Sequence, residues 1–216
     1  MKVGILGGTF NPIHNAHLRI AEEVRDMLGL ERVIFVPAAS PPHKLLTEEL
    51  SFEVRYEMVR LAIESNPFFA ISDMEREMGG TSYSIHTLQK LNRKFPGDEF
   101  FFIIGSDSFL DIGSWKEYAT IFGLCNIAVV ARPGTSMESL EKTLPVAIAG
   151  QFCYHAAEKR LAHSSGHSVY SITGTPLNIS SSEIRQLARQ ERSIRYLLPA
   201  SVEQYIKEHR IYKNDA

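Results

Sequence analysis

Cysteine is scarce in this 216-residue chain: Cys125 and Cys153 are the two it contains, and their separation fits no paired metal-ligand spacing. Two thiols in a chain this long also argue against a disulfide scaffold and fit a reducing compartment, so the expected location is the cytoplasm. Tryptophan occurs once, at Trp115. No window approaches the ~18 consecutive apolar residues that a membrane span requires, and no basic segment ahead of a long apolar stretch opens the chain. Neither a secreted nor a membrane-inserted protein is expected. An excess of one charge is missing as well, since 23 Lys and Arg against 25 Asp and Glu leave a formal net charge of -2. That balance supplies no global attraction to nucleic acid or to an anionic membrane, so affinity for phosphate has to arise in a local pocket. Repeats and low-complexity tracts are also lacking. What remains is an ordinary globular composition, 44% hydrophobic and 22% charged, with enough length for one sizeable core. A single domain over residues 1–216 is expected, with a C-terminal helical subregion over about 180–216.

Four short, nearly continuous apolar runs punctuate the chain: Val3 to Leu6, Val33 to Val36, Phe100 to Ile104 and Ile127 to Val130. Rich in β-branched and aromatic residues and apolar on both faces, they predict strands of a parallel sheet covered on each side. Helical patterns lie between them. Leu18, Ala21, Val24 and Leu28 recur at helical spacing and stop at Gly29, a residue suited to a left-handed cap. Val54, Met58, Val59, Ala62 and Ile63 form a stripe that begins after Ser51 and stops at Asn66-Pro67, ahead of a short strand over Phe69 to Ile71. Ser84 to Lys94 predicts a third helix, and residues 135 to 167 read only as mixed helix and loop. Beyond them come a strand from Ser168 to Ile172 and a helix whose start carries Ser180 and Glu183 at capping-box spacing. Ile184, Leu187 and Ala188 turn inward on that helix. A final helix from about Pro199 has Val202, Tyr205 and Ile206 on one side. The alternation predicts an α/β fold, doubly wound and Rossmann-like, with a mostly parallel sheet, helices on both faces and a small C-terminal helical part. Such sheets bind ligands outside the carboxyl ends of their strands.

The stretch GGTFNPIHNAHL, residues 7 to 18, leaves the first strand and enters the first helix. Its glycine pair lets backbone approach a ligand closely, so the N–H groups of Gly8, Thr9 and Phe10 can face phosphate oxygens. Taken alone, Gly7-Gly8 is a tight turn. His14 and His17 add to it: three residues apart at a helix start, both imidazoles can reach one polyphosphate where the helix dipole also favours an anion. A zinc site built from these imidazoles and a carboxylate such as Asp107 is a weaker alternative, because no clear third ligand stands at a suitable spacing. A dinucleotide-dependent dehydrogenase is excluded twice. The turn Gly4-Ile5-Leu6-Gly7-Gly8 lacks the G-x-G-x-x-G spacing, and the second strand ends Val36-Pro37-Ala38-Ala39 without an acid for a ribose.

In the same order along the chain stand PPHK (Pro41 to Lys44), TSYS (Thr81 to Ser84), GSDSF (Gly105 to Phe109), Trp115, RPG (Arg132 to Gly134) and ISSSEIR (Ile179 to Arg185). With GGTFNPIHNAHL they make the chain similar to the bacterial nicotinate mononucleotide adenylyltransferases, within the nucleotidyltransferase superfamily whose H-x-G-H signature the first stretch resembles. Two positions depart from that pattern: Ala16 replaces the usual glycine between the histidines, and Asn11 stands where aspartate is common. The resemblance implies that the adenylyl group of ATP is joined to nicotinate mononucleotide, giving nicotinate adenine dinucleotide and pyrophosphate for NAD biosynthesis.

An already ionised phosphate nucleophile needs no general base and no covalent intermediate, so alignment and charge stabilisation carry such a reaction. The resemblance assigns the catalytic role to His14, His17 and Arg185. It places ATP on Gly7, Gly8, Thr9, Phe10, His17, Gly105, Asp107, Ile179, Ser180, Ser182 and Arg185, and the mononucleotide on Lys44, Tyr83, Ser84, Asp107, Trp115 and Arg132. Several of these have plainer readings: an ordinary capping box at Ser180, an N-cap at Asp107, a core tryptophan at Trp115. The amides around Tyr83 and Ser84, at a helix start, favour a carboxylate over an uncharged amide. Magnesium is expected as the ion carried with ATP, with no dedicated acidic cage in the chain and hence no metal-binding residues. ATP and the mononucleotide are the expected partners, nucleic acid and membrane are not, and assembly into a homo-oligomer stays open. Two rival functions remain: an adenylyltransferase acting on phosphopantetheine, flavin mononucleotide or nicotinamide mononucleotide, and a non-catalytic nucleotide-binding sensor.

Overall fold

A computed structural model of the chain describes residues 1–41, 50–131 and 137–212. Its elements, in chain order, begin with β1 (Lys2–Gly8), α1 (Asn15–Leu28), β2 (Arg32–Pro37), α2 (Phe52–Ile63), β3 (Phe69–Ile71), α3 (Met74–Met78), α4 (Ser84–Lys94), β4 (Glu99–Gly105) and α5 (Ser106–Leu110). After a 3₁₀ turn, Ile112–Ser114, come α6 (Tyr118–Ile121), β5 (Asn126–Ala131), α7 (Met137–Lys142), α8 (Val146–Ala149), β6 (Phe152–His155), β7 (Arg160–His163), β8 (Ser168–Thr173), α9 (Ser181–Arg189) and α10 (Ala200–Glu208). The strands join in one sheet of order β3-β2-β1-β4-β5-β8-β7-β6. The first six in that order pair in parallel, and β6 and β7 continue the sheet antiparallel beyond β8. Strand order reverses between β1 and β4, the place where a doubly wound sheet opens a crevice beyond its carboxyl ends.

Alternation along the strands splits the core in two. On β4, Phe100, Phe102 and Ile104 pack on one face with Ile85, Leu88 and Leu91 of α4, while Phe101 and Ile103 pack on the other with Ala21 and Val24 of α1, Met58 and Val59 of α2, Ile184 of α9 and Val202 and Ile206 of α10. Side chains successive in a strand leave opposite faces, so a run apolar at every position is what a twice-covered sheet demands. The helix ends follow the expected chemistry. Gly29 ends α1 at φ 60° and ψ 42°, a left-handed conformation that costs glycine nothing. Ser51 caps α2 by accepting the Val54 N–H, and Ser180 caps α9 by accepting the Glu183 N–H at 3.1 Å. Pro199 is the N-cap of α10 rather than its first helical residue.

Residues 137 to 163 depart from the expected mixture of helix and loop. They form two short helices and then the β6–β7 hairpin, whose four-residue strands pair Phe152 with His163 and His155 with Arg160. Four residues carry two alternations at most, too few for a period-2 signal to stand out. No helix among the described residues is long and apolar enough to cross a membrane.

Candidate active site

β1 ends in Gly7 and Gly8 at the crevice, and the chain then turns through Phe10 at φ 50° before α1 begins. A Cβ on Gly8 would stand 3.0 Å from the Phe10 ring, so the glycine leaves room for that ring to fold back beneath the loop. Phe10 is buried and meets His17 edge-on at 5.2 Å, while the His14 and His17 rings stack with centroids 3.7 Å apart. His14 is the N-cap of α1, and its backbone N–H donates to His17 Nδ1 at 3.2 Å. Because Nδ1 accepts, the neutral ring carries its proton on Nε2. His14 Nδ1 is buried without a partner. Burial lowers the His14 pKa to about 4, and burial together with repulsion from His14 holds His17 well below the usual histidine range. Both imidazoles are therefore neutral at pH 7 in the free chain. Neutral, His17 serves as an oriented N–H donor from Nε2.

Residues 9 to 15 are tied down by groups distant in sequence. Arg55 of α2, only 1% exposed, donates to Thr9 O at 2.8 Å and to Leu50 O at 3.1 Å. Arg185 of α9 donates to Asn11 O at 2.8 Å, and the Ser181 hydroxyl to Pro12 O at 2.8 Å. The Tyr212 hydroxyl donates to Asn11 Oδ1 at 2.7 Å, and burial pushes its pKa upward. Asn15 closes the set by donating from its side chain to Tyr196 O and from its backbone to Leu197 O. Each bond to an otherwise orphaned carbonyl removes a conformational option from the loop.

Two cavities meet at this loop. One, of about 610 Å³, is lined by His14, Ala16, His17, Gly105, Asp107 and the stretch from Gly174 to Ser181. Both ends of the chain's binding motifs thus face a single space. The other, of about 340 Å³, is lined by Gly7, Gly8, Thr9, Glu75, Ser82, Ser84, Thr87 and Trp115. His17, Ile20, Gly105 and Val130 line both, so a molecule in either cavity reaches the same junction. A third space continues outward past Tyr83, Asp107, Ser108, Asp111, Trp115 and Lys116. Trp115 presents an edge to Phe102 at 6.1 Å. The Ser82 hydroxyl accepts the N–H groups of Ala39 and Ser40 at 2.9 and 3.0 Å, which fixes the end of β2 to the start of α4.

Of the residues singled out in the sequence, Gly7, Gly8, Thr9, His14, His17, Tyr83, Ser84, Gly105, Asp107, Trp115, Ile179 and Ser180 line these spaces, and Phe10 lies under them. Arg185 holds Asn11 O and Ser182 Oγ. Lys44 and Arg132 lie outside the described residues. Sequence reasoning missed Arg55, Tyr212 and Glu23, and it did not foresee the bond from Ser181 to Pro12 O. Glu23 of α1 accepts the Thr175 N–H at 2.9 Å and also bonds the Thr175 hydroxyl, which fixes the turn at the far wall of the larger cavity. A Cβ on Gly174 would come within 2.9 Å of Glu23 Oε2, so any larger residue there would push the carboxylate off its present position. Among the described residues, no three His, Cys, Asp or Glu side chains converge in a way that could hold a metal ion.

Residues 5–187 match the family model described as cytidylyltransferase-like. The chain belongs to the cytidylyltransferase-like family. Within it, curated relatives are similar along their whole length. A probable nicotinate-nucleotide adenylyltransferase of Geotalea daltonii is 79% identical, with 99% of each chain covered. One of Geobacter sulfurreducens, with the same description, is 63% identical with 100% of each covered. Among solved structures, Plasmodium falciparum nicotinic acid mononucleotide adenylyltransferase complexed with NaAD superposes with a TM-score of 0.74 at 21% identity. That superposition covers 98% of this chain and 97% of the other, and it bears on the fold. The cytidylyltransferase-like match takes in every cavity-lining residue named above.

Proposed function

We propose that this chain transfers the adenylyl group of ATP to nicotinate mononucleotide, forming nicotinate adenine dinucleotide and pyrophosphate. The carrying observation is the junction at His17 and Gly105, where a cavity ending in the α9 N-terminus opens into one ending at Trp115 and the α4 N-terminus. ATP occupies the larger cavity, with its base against the Gly174–Ile179 wall and its phosphates toward His14, His17 and the amides of the glycine loop. The mononucleotide occupies the smaller one, with its ring against Trp115 and its phosphate at the junction. An oxygen of that phosphate attacks the α-phosphorus in line, the bond to the β-phosphate oxygen breaks, and pyrophosphate carries away the charge.

The chain's own groups align these partners and answer the charge. His17 donates from Nε2 toward the leaving group's oxygens, and its Nδ1 stays engaged by the His14 N–H, so the ring acts as a fixed neutral donor. Arg55, Arg185 and Ser181 act as positioning residues: they hold the carbonyls on the back of the loop, and the loop's amides then face the phosphates. Magnesium enters as the ion carried with ATP. Among the described residues Asp107 is the acid lining the larger cavity, and a carboxylate there suits an ion that arrives already bound to phosphates and water. The ion's contribution is charge neutralisation.

Pyrophosphate release from Mg-ATP across a panel of acceptors tests the assignment. Nicotinate mononucleotide should support release far faster than nicotinamide mononucleotide, phosphopantetheine or flavin mononucleotide. Preference for another acceptor reassigns the substrate, and ATP binding without release with any of them makes the protein a sensor.

A further inference from the structure

The outer end of the smaller cavity holds a cation that the reaction above does not use. The charged side chains lining this mouth among the described residues are Asp107, Asp111 and Lys116. Lys116 follows the tryptophan directly. Its Nζ lies 4.7 Å from the centroid of the Tyr83 ring and 3.3 Å from His86 Nε2. Tyr83 and His86 in turn meet edge-to-face at 5.6 Å. An ammonium has only donors, so Nε2 of His86 accepts and that ring carries its proton on Nδ1. The lysine is thus oriented by a ring face and an imidazole, neither of which neutralises it. Its two partners are both on the first turn of α4 or its N-cap, and that helix end offers backbone N–H groups as well.

We infer that Lys116 determines specificity by recognising the carboxylate of the pyridine substrate, with Tyr83 and His86 positioning its ammonium. The inference rests on the proposed acceptor and deepens it. With Lys116 removed, the mouth would keep no side-chain cation among the described residues. With Lys116 in place, a carboxylate beside Trp115 lies between an ammonium and a helix N-terminus, both favouring negative charge. A carboxamide gains little from either. The helix-start amides already favour the acid, and the charge on Lys116 adds to that preference.

Steady-state kcat/KM for nicotinate and nicotinamide mononucleotides, measured on the wild type, Lys116→Gln and Lys116→Arg, tests this. In Lys116→Gln the acid-to-amide ratio should fall about tenfold, as expected for one partly exposed charge contact. The fall should come mainly from a higher KM for the acid. Lys116→Arg should restore most of the ratio, because it restores the charge. His86→Ala should lower the ratio by a smaller factor. A Lys116→Gln ratio equal to that of a wild type active on the acid overturns the role of Lys116 and leaves the acceptor standing. A wild type inactive on both mononucleotides overturns the acceptor and this inference with it.

Discussion

His17 gains its function from what surrounds it. The His14 N–H occupies its Nδ1, Phe10 meets its edge and His14 covers one face. Its remaining nitrogen is a directed donor at the junction of the two cavities. Replacing it by alanine removes that donor at a site whose fold is held by other groups. His17→Ala should lower kcat by on the order of a hundredfold, the usual scale for one lost oxyanion-type donor. Circular dichroism should show the folded state intact, and near-normal turnover would remove His17 from the chemistry. The histidine pair was legible in the sequence because glycine turn, imidazole spacing and helix start are all local. The ties made by Arg55, Ser181 and Tyr212 were not: they reach main-chain carbonyls or an amide oxygen across 46, 169 and 201 residues. Backbone acceptors are the same at every position and leave no mark in composition.

Among the elements, those with a stop signal were the readable ones. Gly29, Ser51 and Ser180 mark real helix ends, and the four apolar runs are all strands. Short pieces such as α3 and α6, with five and four residues, owe their shape to the elements they pack on, β2 for the first and α4 for the second. One tertiary tie between elements has a functional consequence. Glu23, in the middle of α1, grips Thr175 in the turn before α9, so the helix that begins at the imidazoles also fixes the opposite cavity wall. Glu23→Gln weakens this grip while keeping the side chain's volume. The KM for ATP should rise about fivefold with a smaller effect on kcat, since the amide keeps part of the ~1.5–3 kcal/mol typical of a hydrogen bond to a charged group. An unchanged KM for ATP would show that the turn keeps its shape without Glu23.

Over the whole molecule, the buried imidazoles link folding to pH. The unfolded chain binds protons on His14 near pH 6.5, whereas the folded one resists them down to about 4. A depressed pKa of this kind leaves stability intact above 6.5 and removes it as pH falls towards 4. His14 alone should cost about 2 kcal/mol between pH 7 and pH 5. Urea unfolding at those two values measures the loss, and His14→Gln should lose correspondingly less. Parallel pH dependences in the two proteins would show that His14 is accessible to protons in the native state.

The sheet, finally, stops at β3 on one side, with three residues, and at β6 on the other, with four. A strand from a neighbouring molecule would find only a few unpaired main-chain groups at either margin, too few for a stable cross-molecular ladder. A sheet whose central strands are rich in valine, isoleucine and phenylalanine can in this way stand at high concentration without seeding fibrils.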